Sequence, residues 1–150
     1  MHRVVASWFG SGLLPRLATG DDAGAGTVGS ALAFGMAWLI GPDRWQWQLA
    51  AAVATTALAL WSARPFAVDE ADPGWIVADE AAGTFLATVG LGIGPAVIAF
   101  VVFRVADATK RFPGVAAAER LPGAVGITAD DLVAGVWGLA AGGLATVLVG

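Results

Sequence analysis

An apolar run from 81 to 103 is interrupted by GLGIGP at 90–95, and the reading of that interruption decides the architecture of the chain. Uninterrupted, the run is long enough to span a bilayer. One helix would hold Glu80 and Asp107 roughly 40 Å apart, at about 1.5 Å per residue. Three glycines and Pro95 within six residues are, however, a strong helix-breaking signal. The preferred reading is a hairpin of two short helices, 79–90 and 95–110, broken between Gly90 and Pro95. A continuous kinked span is the alternative, because helices in lipid tolerate Gly and Pro.

The other apolar runs predict helices over 28–41, 47–63 and 130–149. Thr27 is a candidate N-cap for the first, and Thr128 or Asp130 for the last. Residues 1–27 read as irregular, 64–78 as a polar connection and 111–129 as a loop. Gly24, Gly26 and Gly29 fit G-x-G-x-x-G, but no hydrophobic strand precedes them, so dinucleotide binding is not expected. The composition is 57% hydrophobic and 13% charged, against about 25% charge in soluble domains. The expectation is an all-α, membrane-embedded bundle of about five short helices, in one domain over 1–150. The interior AAAVATTALA of the second helix suits close helix contact in lipid.

With the hairpin, the helices alternate in direction. All charges except Asp43 and Arg44 then gather at one end, including seven of the eight bases. The positive-inside rule makes that end cytoplasmic. Trp38, Trp45 and Trp47 fall near the far end, and Trp8, Trp61 and Trp75 near the charged end, as two interfacial belts would. The helices are short: fourteen residues reach about 21 Å, so the bundle thins the bilayer or sits partly in one leaflet. No long apolar region follows Met1-His2-Arg3, so no signal peptide is expected.

There is no cysteine, and the single histidine is His2, at a terminus expected to fray. That removes thiol chemistry, zinc-thiolate sites and a two-histidine phosphatase. No Cys-x₅-Arg or phosphate-binding Gly-x₄-Gly-Lys-[Ser/Thr] loop occurs. The net charge of −4 argues against nucleic acid. What remains are carboxylates, bases, hydroxyls and amides, a set that suits hard cations such as Mg²⁺.

Three charged clusters meet at the polar end: Asp72, Asp79 and Glu80; Arg104, Asp107, Lys110 and Arg111; and Asp130 with Asp131. Acids from three segments can make an oxygen-ligand site. Arg104, Lys110, Arg111 and Arg120 can hold a phosphate, a pairing that suits phosphoryl transfer to water. Adjacent helical residues point about 100° apart, so either Asp130 or Asp131 can face the site. The plain alternatives are acids complementing a helix N-terminus and a solvated salt-bridge cap. The latter would belong to a non-enzymatic membrane channel or scaffold.

FGSGLLP with AGTVGS, DPGWIVADEAAG, and FRVADATKRFPG followed by ERLPGAVGITADDLVAG resemble the phosphatidylglycerophosphatase A family in order and spacing. Here Ala25 stands where the family has Pro, and Arg111 replaces the Pro usual after the Lys. The resemblance implies a bacterial inner-membrane, Mg²⁺-dependent lipid phosphatase that converts phosphatidylglycerophosphate to phosphatidylglycerol and phosphate. It implies that Asp79, Glu80, Asp107, Asp130 and Asp131 form the metal and catalytic centre. Arg104 and Lys110 would contact the phosphate, assisted by amides near Gly26, Thr27 and Ser30. Glu80 is the candidate for taking the water proton. The partners implied are a phospholipid and the membrane, with no nucleic acid or protein partner. A phospho-alcohol transferase is disfavoured, because no Asp-x₂-Asp-Gly-x₂-Ala-Arg pattern occurs.

Overall fold

In the computed structural model, residues 1–67 and 73–149 are described. Asp69, Glu70 and Asp72 lie outside them. Among the described residues there are eight α-helices and no strand. They are α1 (His2–Ala6), α2 (Leu14–Thr19), α3 (Ala25–Ile40), α4 (Trp45–Ala63), α5 (Ala78–Thr88), α6 (Ile93–Thr109), α7 (Val115–Glu119) and α8 (Ala124–Val149). Short 3-10 turns occupy Ser11–Leu13 and Pro42–Arg44.

The all-helical expectation therefore holds, but the number of helices does not. The five expected helices appear as α3, α4, α5, α6 and α8. The segment expected to be irregular, 1–27, folds into α1 and α2, and the expected loop 111–129 holds α7 and the start of α8. His2 does not fray: its ring stacks on Trp61 at 4.0 Å. Neither expected cap holds. The residue before α3 is Gly24, left-handed at φ 82°, and Thr128 lies inside α8, buried. Helix α8 starts six residues early because Pro122 and Gly123 (φ +62°) form the turn. Gly126 is carried inside the helix, where a glycine costs only about 1 kcal/mol.

The break does fold the chain back. Helix α5 ends at Thr88 and α6 begins at Ile93, and Arg104 near the end of α6 approaches Glu80 at the start of α5. Gly90 makes the turn at φ +70°. Its N–H donates to Gln48 Oε1 at 2.7 Å, while Gln48 Nε2 donates to the Ala37 carbonyl at 3.1 Å. One buried amide thus ties α3, α4 and the hairpin turn together. Helices α3 and α4 are not antiparallel as expected: they meet at a 90° bend.

Helix α5 is the centre. Nine of its eleven residues are buried, and α3, α4, α6 and α8 surround it. The core around it is mostly alanine, with Phe85 and Phe103 its largest fully buried side chains. Small residues let backbones approach closely, so packing here is backbone against backbone. Many large apolar side chains point outward: Trp47, Val53, Val101, Val136, Leu144, Val147 and Leu148 are all exposed. Trp38 and Trp45 also face outward, but Trp8 does not belong to a belt. It is buried and meets Phe85 edge-on.

Among the described residues one helix, Ala124–Leu148, is long and apolar enough to cross a membrane, and the bent pair Ala25–Ile40 with Pro42–Ala63 passes the same test together.

Replacing Gln48 by Leu leaves the Gly90 N–H without its acceptor in a part-buried site. The expected loss is about 1–3 kcal/mol of stability, read as a lower denaturation midpoint in detergent.

Candidate active site

The hairpin brings the start of α5 beside the end of α6, and α8 delivers Asp130 and Asp131 from its second turn. The start of α3 closes the fourth side. A Cβ at Gly26 would overlap Glu80 Oε1 and lie 3.0 Å from Arg104 Nη2, so a side chain there would displace the Glu80 carboxylate from its present position. The fragment of G-x-G-x-x-G thus acquires a different meaning: Gly26 and Gly29 let α3 lie against Glu80 and Val77.

Asp79, Glu80 and Asp131 form one cluster. Each offers a carboxylate oxygen, and these oxygens all lie within 4.8 Å of one another. Asp79 and Asp131 are buried, and the Glu80 side chain is 16% exposed. Asp79 Oδ1 accepts the Glu80 backbone N–H at 3.0 Å, a local bond that fixes the first turn of α5. Glu80 Oε2 and Asp131 Oδ1 are buried without a hydrogen-bond partner. Buried carboxylates at this spacing repel, and burial raises the cost of each charge. Arg104 is the near cation, 3.9 Å from Glu80. The set is oxygen-only, anionic and carries unpartnered lone pairs, which fits a hard divalent cation. The cluster could therefore hold a metal ion.

Asp107 and Asp130 take a different place. Lys110 ends α6 in a left-handed conformation (φ 53°) and donates to Asp107 Oδ1 at 2.7 Å and to Asp130 Oδ2 in a very short contact. Arg104 donates to Asp107 Oδ2 at 2.7 Å. Burial by itself depresses the Lys110 ammonium, but the charge and hydrogen bonds of Asp107 and Asp130 outweigh it and hold Lys110 well above the ordinary lysine range. So Asp131 faces the acidic cluster, and Asp130 faces the bases.

Of the other expected residues, Ser30 is fully buried one turn beyond Gly26, with its hydroxyl unpartnered. Thr27 is exposed, as are Arg111 and Arg120; Arg120 Nε bonds the Ala116 carbonyl within its own helical region. Thr128, one turn before Asp131, is a second buried unpartnered hydroxyl, which the sequence offered only as a helix cap and not as part of the site. Its signal was the i, i+3 spacing to Asp131, which is visible only once α8 is known to start before 128.

Lys110→Met leaves Asp107 and Asp130 without their shared donor. The expected cost is about 1.5–3 kcal/mol, as for hydrogen bonds to charged groups. Thermal unfolding should show Lys110→Arg recovering most of it.

No curated protein and no solved structure matches the chain. The family model for phosphatidylglycerophosphatase A matches residues 4–146, nearly the whole length, and takes in every residue of the site. The chain therefore belongs to the phosphatidylglycerophosphatase A family, and is a phosphoric monoester hydrolase.

Proposed function

We propose that the protein is a Mg²⁺-dependent lipid phosphatase, which hydrolyses phosphatidylglycerophosphate to phosphatidylglycerol and phosphate. It would work embedded in the bacterial inner membrane, with its polar end at the cytoplasmic surface. The observation that carries this reading is the three-carboxylate cluster with Arg104 beside it, and Lys110 linked to Arg104 through Asp107, where α3, α5, α6 and α8 meet. The exposed aliphatics around the bundle and the apolar α8 support a lipid setting. The family is one of enzymes, so the channel or scaffold alternative has no remaining support.

Asp79, Glu80 and Asp131 would hold Mg²⁺, with Asp107 and Asp130 in reserve behind Lys110. The ion, when bound, neutralises phosphate oxygens and acidifies water. Arg104 and Lys110 hold the phosphomonoester. Each is already aimed by Asp107, so a phosphate needs only to exchange for a carboxylate that the base now contacts. Amides at Gly26 and Thr27 and the Ser30 hydroxyl line the α3 side. Glu80 Oε2, with no partner of its own, accepts the proton of the attacking water. The water oxygen joins phosphorus, the bond from phosphorus to the glycerol oxygen breaks, and the proton taken up by Glu80 is returned to that leaving oxygen, so the carboxylate is regenerated. The acyl chains stay against the apolar bundle throughout, so the substrate remains in the membrane.

Phosphate release from phosphatidylglycerophosphate in detergent micelles tests this. Release should require Mg²⁺, stop with chelator and fall roughly 10²–10⁴-fold in Glu80→Gln, the range for loss of a general base. Release unchanged by chelator would sink the metal reading. No release from folded protein would sink the substrate.

A further inference from the structure

We propose that Gly83 and Gly135 are positioning residues for the acidic cluster: their backbone contact sets the distance at which α8 presents Asp131 to Asp79 and Glu80. This rests on the reading of that cluster as a divalent-cation site.

The two helices meet almost without side chains at this point. A Cβ at Gly83 would lie 2.7 Å from the Asp131 carbonyl oxygen and 2.6 Å from Phe103 Cε2. A Cβ at Gly135 would lie 2.7 Å from the Gly83 carbonyl oxygen. Real Cβ atoms essentially never approach closer than 3.0 Å. Two of these three obstacles are backbone, which has no rotamer with which to yield.

The contact is one turn from the carboxylates on both helices. Asp79 and Gly83 are four residues apart on α5, and Asp131 and Gly135 are four apart on α8, so each pair shares a face. A methyl group at the contact must push the helices apart by several tenths of an ångström. Metal–ligand distances tolerate only about 0.2 Å. The cluster draws its ligands from both helices, so a shift the bundle can absorb elsewhere is too large here. This also gives a physical reason for a glycine at the end of both IVADEAAG and DDLVAG.

Gly138 is the control. A Cβ there would lie 2.6 Å from the Ala99 carbonyl oxygen and 3.0 Å from Ala87 Cβ and Phe103 Cβ. The crowding is equally severe, but its backbone obstacle is on α6, and it is nearly another turn from Asp131.

The test is Mg²⁺ affinity of the full chain in detergent, by titration calorimetry, beside the unfolding temperature. Gly135→Ala and Gly138→Ala should both melt earlier. Gly135→Ala should bind Mg²⁺ about 10–100-fold more weakly, the loss typical of disturbing the shell behind metal ligands, whereas Gly138→Ala stays within about two-fold of wild type. Lengthening the ligand by Asp131→Glu in the Gly135→Ala background should restore part of the affinity, which a merely structural defect would not allow. Should Gly135→Ala not fold, Gly83→Ala with Phe103→Leu removes the ring obstacle and keeps the backbone one, and the same loss is expected. Wild-type affinity in Gly135→Ala, or an equal loss in Gly138→Ala, overturns the proposal. Absence of Mg²⁺ binding in the wild type overturns the cation reading and this inference together.

Discussion

Three carboxylates from two helices, held within 4.8 Å of one another in a mostly buried site, are an electrostatic cost on which the rest of the polar end depends. The surrounding groups limit that cost without cancelling it. Arg104 stands between Glu80 and Asp107, and Lys110 between Asp107 and Asp130. The pattern is an alternation of signs in which Asp107 belongs to both bases. Glu80 Oε2, Asp130 Oδ1 and Asp131 Oδ1 are left over. An arrangement of this kind gains most from an added cation on the acidic side and an added anion on the basic side.

Such a site needs walls that do not move, and these come from small residues. Alanine dominates the buried face of α5, and glycine allows its contacts with α3 and α8. A core of larger side chains would hold the helices farther apart. The apolar bulk is turned outward instead, where the hydrophobic effect in water would penalise it. In lipid that penalty vanishes, while close packing still gains dispersion energy. In the proposed lipid setting, the inside and outside of the bundle would be two halves of one solution. Gln48 is the exception that helps, a polar side chain satisfied at both ends in a place where it joins three elements.

Much of this was legible from residue order. Gly90, Gly92, Gly94 and Pro95 announced the hairpin, because helix breaking is local chemistry. The hairpin then required Glu80 and Arg104 to meet. The limits of α3, α4, α5 and α6 fall within three residues of expectation. Helix α8 did not follow, because Gly126 and Thr128 are weak helix formers whose placement was decided by burial, not propensity. The short α1, α2 and α7 carry too few residues for a periodic signal. The close approach at Gly26 was hidden behind a motif that means something else on another fold.

The sequence by itself determined that the chain is helical, where it turns back, and that acids without thiols or imidazoles would form the polar site. Those are properties of residue types and near neighbours. Only the tertiary structure decided which acids stand together. Asp131 joins Asp79 and Glu80, while Asp107 and Asp130 answer to Lys110. That division depends on the angular position of each residue on its helix and on how closely the helices cross, and no spacing along the chain contains either.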